Sequence, residues 1–182
     1  MSTLISDSGL RAELQRITDS CGLREQPSEL NALTARWPHT VKFVKDTNTG
    51  PNGFNCFMHA LNIHEAPGWL VSAAVEHDIL PDSCFAAYLV ATLLFTSEVA
   101  EPSNGDVAMY FATGRPRHAG RVEAGQIVSK WGQGHLWHHS LDEVPSSYGQ
   151  KVRFFRAAHR DDVLLAFRTY GERLIGASFA TA

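Results

Sequence analysis

The second half of the chain contains short runs rich in Val, Ile, Tyr and Phe, separated by turns that contain Gly. Short runs of this composition between turn residues are typical of β-strands. Because consecutive runs are joined by short turns, we expect the strands to pair in an antiparallel sheet. The predicted strands are Asp106 to Phe111, His118 to Glu123, Gln126 to Trp131 and Val152 to Phe155.

The first half of the chain is predicted to be mainly helical. The apolar residues between Leu10 and Ile17 are spaced as on one face of a helix, which Asp7 or Ser8 can cap. A second helix is predicted from Pro81 to about Phe95, with a nearly all-apolar face that should be buried. A closing helix is predicted over Arg160 to Ile175.

Helices that precede a run of antiparallel strands are typical of the α+β class. The chain of 182 residues is long enough for one domain with a substantial core and short for two. We therefore predict one domain over residues 1–182, with N-terminal helices packed on a small antiparallel sheet. Val41 to Val44 alternates apolar and charged residues and is predicted as a further short strand.

Charge and hydropathy exclude several classes of function. The formal net charge is −3 and no basic cluster is present, so nucleic acid is not an expected partner. The longest apolar stretch, Cys84 to Phe95, is too short to cross a bilayer, and no membrane association is expected. The N-terminus lacks the pattern of a secretory signal. We expect a soluble protein that is cytoplasmic, or exported without a cleaved signal peptide.

The segment from Asn52 to Asn62 contains the strongest candidate for a reactive residue. Cys56 follows a turn at Asn52 and Gly53 and starts a short apolar run that is predicted to be a helix. A thiol at a helix start faces unpaired N–H groups and the positive end of the helix dipole, and both favour the thiolate. The alternative is that Cys56 is a small core residue, because free cysteines are often buried.

His118 is the candidate partner for this thiol. It begins a predicted strand that follows the turn and strand from Gly105 to Phe111. An imidazole beside a cysteine can keep the thiol ionised and can later protonate a departing amine. A cysteine at a helix start followed by a histidine on a later strand is the order found in papain-like cysteine hydrolases.

The chain resembles the NlpC-type and CHAP-type papain-like cysteine peptidases and amidases. The matching pieces are Asn55 to Ala60 (NCFMHA), Gly105 to Ala108 (GDVA) and His118 to Val122 (HAGRV). The resemblance implies a papain-like fold, cleavage of an amide bond in a peptide or peptidoglycan-type substrate, and Cys56 and His118 as catalytic residues. It also implies a polar residue on the next strand that orients the imidazole, and Ser129 fits this position.

Other residues are predicted to bind the substrate or to stabilise the oxyanion that forms during amide cleavage. The backbone N–H of Cys56 is one expected oxyanion donor, and the side chain of Asn52 or Asn55 is the expected second donor. The loop from Lys130 to His135 contains Trp131 and is predicted either to border the substrate cleft or to be a hairpin turn with a core tryptophan.

No metal or other cofactor is expected. His135, His138 and His139 lie close together in the sequence, but no HExxH or CxxC spacing accompanies them. The three cysteines are odd in number and widely spaced, which fits neither a disulfide framework nor a four-thiolate zinc site. Asp142 and Glu143 are predicted to be solvated.

Two further functions remain open at this stage. A serine is a weaker orienting group than a carboxylate or an amide, so the domain could be catalytically inactive and bind a protein or peptide partner in its cleft. A transferase or deamidase could also use the same Cys–His dyad, because an acyl-enzyme does not dictate its acceptor.

Overall fold

The protein forms an α+β structure, which confirms the predicted class. The computed structural model describes residues 3–5, 8–45, 53–65, 68, 70, 76–92, 97–132 and 134–176. In these residues the helices are α1 (Gly9–Ser20), α2 (Gln26–Leu33), α3 (Cys56–Ala60), α4 (Ser83–Ala91) and α5 (Arg160–Ile175), with a 3-10 helix over Ser146–Tyr148. No helix among them is both long and apolar enough to cross a membrane.

One antiparallel sheet of eight strands runs through the structure. The strands are β1 (Thr3–Leu4), β2 (Lys42–Lys45), β3 (Glu98–Val99), β4 (Val107–Ala112), β5 (Arg115–Glu123), β6 (Gln126–Lys130), β7 (Leu136–His139) and β8 (Lys151–Phe155). Their order is β1-β8-β4-β5-β6-β7-β2, and β3 also pairs with β8. All pairs are antiparallel, and the short connections predicted this for the consecutive strands β4 to β6.

Two tight hairpins set the register in the centre of the sheet. Thr113 and Gly114 join β4 to β5 with φ values of 50° and 79°, and Ala124 and Gly125 join β5 to β6 with 48° and 79°. Two consecutive residues with positive φ are typical of type I′ turns, whose twist matches that of the flanking strands. The first turn leads into a register shift, after which Tyr110 lies opposite His118.

The two faces of the sheet are covered by different helices. The face that carries Val107, Met109 and Ala119 packs against α3, α4 and α5, and we call it the α3 face. The opposite face, which carries Ala108 and Tyr110, we call the α1 face. There, the apolar side chains of α1 and α2 pack around two buried tryptophans, Trp131 and Trp137. Alternation along β4 and β5 thus separates the hydrophobic core of the α3 face from those of the α1 face.

The structure confirms most of the predicted elements and adds several. Helices α1 and α5 and strands β2, β4, β5, β6 and β8 lie where the sequence predicted them, within a few residues. The apolar helix α4 begins after its cap, Asp82, and ends at Ala91, earlier than the predicted Phe95, which lies outside the described residues. Strands β1, β3 and β7 were not predicted, so the sheet is larger than expected.

Candidate active site

Helix α3 places Cys56 in its first turn. Asn55 caps the helix: its Oδ1 accepts a hydrogen bond from the Met58 N–H at 2.9 Å. The Asn55 Nδ2 donates to the Pro81 carbonyl at 3.1 Å, which anchors the helix start to the segment before α4. The helix itself has only five residues. The side chain of Asn55, predicted as an oxyanion donor, is therefore used to cap and anchor α3.

Cys56 is half-buried, and its sulfur lies near several main-chain N–H groups. Burial raises the pKa of the thiol to about 11, while the nearby main-chain N–H groups of Ala119, Phe57 and Cys56 itself oppose this rise. The Lys130 ammonium group opposes it as well, more weakly. Burial therefore outweighs the helix start, and the thiol is protonated at neutral pH, contrary to the simple expectation from its position.

Lys130 and an aromatic cluster surround this helix on the α3 face. The Lys130 Nζ lies 5.4 Å from the ring centre of Phe54 and donates to the Gly134 carbonyl at 2.7 Å. Phe54 in turn contacts the rings of His59 and His64, with ring centres 6.2 Å and 5.2 Å away. Burial lowers the pKa of His59 to about 4, so this imidazole is uncharged at neutral pH.

His118 is buried on β5, with 1% of its surface exposed. Its ring stacks on that of Tyr148, with ring centres 3.9 Å apart and planes 17° apart, and it also contacts Tyr110 at 5.5 Å. Its Nε2 has no hydrogen-bond partner among the described residues. Burial lowers the pKa of the imidazole well below its usual range, and the nearby His139 and His59 lower it further.

Cys56 and His118 both lie at the main chain of β5, but their side chains approach it from different faces of the sheet. The Ala119 N–H lies near the Cys56 sulfur, whereas the Ala119 side chain packs in the core beneath α3. His118 precedes Ala119 and points to the α1 face, toward Tyr110. Within the described part of the chain, no hydrogen bond joins the Cys56 sulfur to the His118 imidazole.

Ser129 lies on the α1 face but belongs to a different hydrogen-bond network. The His139 Nδ1 donates to the Ser140 carbonyl at 2.8 Å, so its Nε2 can accept from the Ser129 hydroxyl, also at 2.8 Å. The Trp131 Nε1 donates to the same hydroxyl at 3.1 Å. Ser129 is fully buried, and its hydrogen bonds go to these two residues and not to His118.

The remaining predicted site residues have structural positions. Trp131 is 1% exposed and packs against Trp137, which favours the core interpretation over a cleft wall. His135 is buried and its Nε2 donates to the Leu23 carbonyl at 2.8 Å. Asn52 lies outside the described residues.

Glu143 differs from its prediction, because it is buried rather than solvated. Its carboxylate accepts hydrogen bonds from the Thr40 N–H at 2.8 Å, from the Thr40 hydroxyl and from the Ser140 N–H at 3.0 Å. These bonds join the segment before β2 to the end of β7. Since Thr40 is distant in sequence, no local pattern could have indicated this role.

Tyr148 is the site residue that sequence reasoning missed. It lies in the 3-10 helix after Pro145, and its hydroxyl accepts a hydrogen bond from the Gly132 N–H at 2.9 Å. Burial raises the pKa of its phenol, and the neighbouring Cys56 sulfur raises it further. Tyr148 therefore contacts His118 and lies near Cys56. The short segment around it carries no motif that would have signalled this position.

Among the described residues, no group of three or more His, Cys, Asp or Glu side chains could hold a metal ion.

The comparisons with known proteins identify a family but no activity. No curated protein and no solved structure matches the chain. The profile of a family described as "Domain of unknown function (DUF7689)" matches residues 45–156, which include α3 and strands β3 to β8. Since this match covers more than half of the chain, the protein belongs to the DUF7689 family.

Proposed function

We propose that the protein is a papain-like cysteine hydrolase that cleaves an amide bond in a peptide or peptidoglycan-type substrate. Cys56 is the nucleophile and His118 the base. The observation that carries the proposal is the position of the thiol, at the start of the capped helix α3 and against the main chain of β5 beside His118. This arrangement is similar to the helix and strand that bring cysteine and histidine together in papain-like enzymes.

The two groups form a neutral pair in the resting protein. Burial raises the pKa of the Cys56 thiol to about 11 and lowers that of the His118 imidazole. A neutral imidazole can accept a proton, and the Nε2 of His118 has no other partner among the described residues. Hydrogen bonds between catalytic groups are often long in a free enzyme and shorten when the substrate binds.

The reaction follows from these roles. As the Cys56 sulfur attacks the amide carbonyl carbon, the thiol proton passes to His118 Nε2. The C–N bond breaks when His118 returns this proton to the departing amine, which leaves a thioester on Cys56. Water, deprotonated by His118, then attacks the thioester carbon. The C–S bond breaks, a carboxylic acid is released, and His118 returns the proton to the Cys56 sulfur. The Cys56 N–H in the first turn of α3 is one donor to the oxyanion. A transferase or deamidase would share the same thioester.

The second candidate is a non-catalytic domain that binds a protein or peptide partner. Two observations favour it: burial raises the pKa of the Cys56 thiol, and no hydrogen bond to His118 is present in the described residues. In this case Cys56 and His118 serve packing alone. The two candidates differ in whether His118 activates the thiol.

The deciding experiment is the pH dependence of alkylation by iodoacetamide, followed by mass spectrometry in the wild type and in His118→Ala. The other free cysteines, the exposed Cys84 and the half-buried Cys21, serve as reference thiols in the same digest. The hydrolase proposal predicts that Cys56 reacts at pH 7 at least about 10-fold faster than a thiol with a pKa of about 11 allows, and that His118→Ala removes this advantage.

Substrate turnover completes the test. The wild type should release amine from peptide amides or soluble peptidoglycan fragments, and Cys56→Ser should not. If the alkylation of Cys56 is equally slow in the wild type and in His118→Ala, and no amide is cleaved, the hydrolase proposal is wrong and the binding domain replaces it.

A further inference from the structure

Among the described residues, the stacked rings of His118 and Tyr148 form the closest aromatic contact around the candidate site. Their centres lie 3.9 Å apart and their planes are nearly parallel, at 17°. Tyr110 contacts the same imidazole at a steeper angle of 49° and 5.5 Å. The Tyr110 hydroxyl donates to the Leu141 carbonyl at 3.0 Å, which fixes this second ring. His118 is therefore held by contacts with two aromatic rings.

Tyr148 is itself held at both ends. Its hydroxyl accepts from the Gly132 N–H at 2.9 Å, just after β6. The backbone on both sides of Tyr148 accepts hydrogen bonds from the buried Arg11 of α1. The Arg11 Nε donates to the Val144 carbonyl at 3.1 Å. Its Nη2 donates to the Pro145 carbonyl at 3.3 Å and to the Gly149 carbonyl at 2.6 Å. The position of the Tyr148 ring is thus determined by α1 and by the end of β6.

Gly149 allows this segment to lie directly on the sheet. It has a φ of 104°, which side chains disfavour, and a Cβ at this position would collide with the Phe111 carbonyl of β4. The turn after Tyr148 therefore approaches β4 more closely than any other residue type would permit. This contact holds the backbone next to Tyr148 against β4.

The polar residue that the sequence assigned to orient His118 is engaged elsewhere. The Ser129 hydroxyl bonds to His139 Nε2 and accepts from Trp131 Nε1. A flat ring 3.9 Å from the imidazole restricts its rotation as a hydrogen bond would. The face of a tyrosine ring also attracts the imidazolium cation that forms when His118 takes a proton.

We propose that Tyr148, by stacking on His118, is the positioning residue for the base of this site, in the place that papain-like enzymes give to a polar side chain. The inference rests on the proposed hydrolase function. It makes the aromatic ring of Tyr148, rather than its hydroxyl or Ser129, the group that orients the imidazole.

Three variants test which group orients His118: the Tyr148 ring, the Tyr148 hydroxyl or Ser129. Tyr148→Phe keeps the ring and removes the hydroxyl, Tyr148→Leu removes the ring, and Ser129→Ala removes the residue that the sequence assigned. The measurements are kcat and KM for the amide that the wild type cleaves, the pH profile of kcat/KM, and the NMR titration of the His118 ring protons. Circular dichroism establishes that each variant is folded.

Tyr148→Leu should lower kcat about 10-fold or more with little change in KM. It should also move the acid limb of the kcat/KM profile upward, because hydration of the imidazole outweighs the lost attraction of the ring face, so that the pKa of His118 returns toward the usual value. Tyr148→Phe should keep kcat within about twofold, and both Tyr148→Phe and Ser129→Ala should leave the acid limb unchanged. The His118 ring protons should lose their ring-current shift only in Tyr148→Leu.

Several outcomes overturn the inference. One is a Tyr148→Leu protein with the kcat and pH profile of the wild type, and another is a loss in Ser129→Ala that equals or exceeds the loss in Tyr148→Leu. If Tyr148→Leu does not fold, Tyr148→Phe decides, since a 10-fold loss there assigns the role to the hydroxyl. A wild type that cleaves no amide overturns the hydrolase function and this inference with it, whereas an active wild type with an unaffected Tyr148→Leu overturns the inference alone.

Discussion

At the scale of single residues, Arg11 illustrates what the sequence could not indicate. The helical spacing from Leu10 to Ile17 predicted α1 correctly, but the next residue, Arg11, reads as a solvated charge on such a helix. In the structure it is fully buried and donates to carbonyls more than 130 residues away. Contacts at this separation leave no periodic signal, so they cannot be read from a sequence window.

Arg11→Met is expected to destabilise the protein by about 2–4 kcal/mol, because three carbonyls lose a charged donor. Urea unfolding followed by circular dichroism measures the change. Arg16→Met on the same helix is the matched control, since the Arg16 side chain is 47% exposed, and it should change the free energy of unfolding far less than Arg11→Met does. Equal effects of the two substitutions would show that the hydrogen bonds of Arg11 do not stabilise the fold.

The candidate site was predictable at this scale only where its residues carry a local signal. Cys56 is a candidate because a turn precedes it and an apolar run follows it, and His118 is a candidate from its place on a predicted strand. Tyr148 and the Ser129–His139 pair became visible only when strands β5, β6 and β7 were brought side by side. The pKa of Cys56 was also beyond the sequence, because its burial depends on the packing of α3 against β5.

At the scale of secondary-structure elements, local chemistry made most of the fold predictable. The hairpins on either side of β5 turn at Gly114 and Gly125, and glycine adopts the positive φ values of these turns without support from distant residues. In contrast, β1 and β3 have two residues each and exist because β8 offers them an edge. Strand β7 contains consecutive histidines and does not alternate apolar and polar residues, so it carries no strand pattern.

Helix α3 is so short that its cap is expected to decide its stability. Asn55→Ala removes the bond to the Met58 N–H and the bond to the Pro81 carbonyl, and we expect a loss of about 1–2 kcal/mol in the free energy of unfolding. Asn55→Asp keeps an acceptor for the cap and should recover about half of this loss. Thermal and urea unfolding of both variants measures the effect.

The same pair of variants tests the link between α3 and Cys56. In Asn55→Asp a carboxylate lies next to the thiol, so the pKa of Cys56 should rise and its alkylation at a fixed pH should slow. In Asn55→Ala the helix start loosens, so alkylation should become faster as the sulfur gains access to water. Identical alkylation rates in both variants and in the wild type would show that the cap does not control the thiol.

At the scale of the whole molecule, three histidines of the described residues are buried and held uncharged. Burial lowers the pKa of His59 and His139 to about 4 and that of His118 well below its usual range. His118 and His139 lie on the α1 face, and His59 lies on α3. Folding therefore holds these three imidazoles neutral on both sides of the sheet, whereas the unfolded chain can protonate all of them.

This arrangement makes the fold sensitive to mild acid. A histidine whose pKa is lowered in the folded state contributes stability above its unfolded pKa of about 6.5, and this contribution is lost as the pH falls toward the folded value. With a folded pKa of about 4, His139 alone should account for about 2 kcal/mol of lost stability at pH 5. Stability should therefore fall between pH 7.5 and pH 5, above the range in which ordinary carboxyl groups titrate.

Urea unfolding at pH 7.5, 6.5, 5.5 and 5.0 tests this prediction in the wild type, in His139→Gln and in His138→Gln. Glutamine at position 139 can still bond to Ser129 and Ser140 but cannot take a proton, so this variant should be less stable at pH 7.5 and should lose less stability on acidification. His138 is the neighbouring residue on β7 and is only half-buried. Its charge lowers the pKa of His139 less than burial does, so His138→Gln should reduce the pH dependence far less than His139→Gln. A wild-type stability that stays constant or rises toward pH 5 would mean that the buried histidines are not held neutral by the fold.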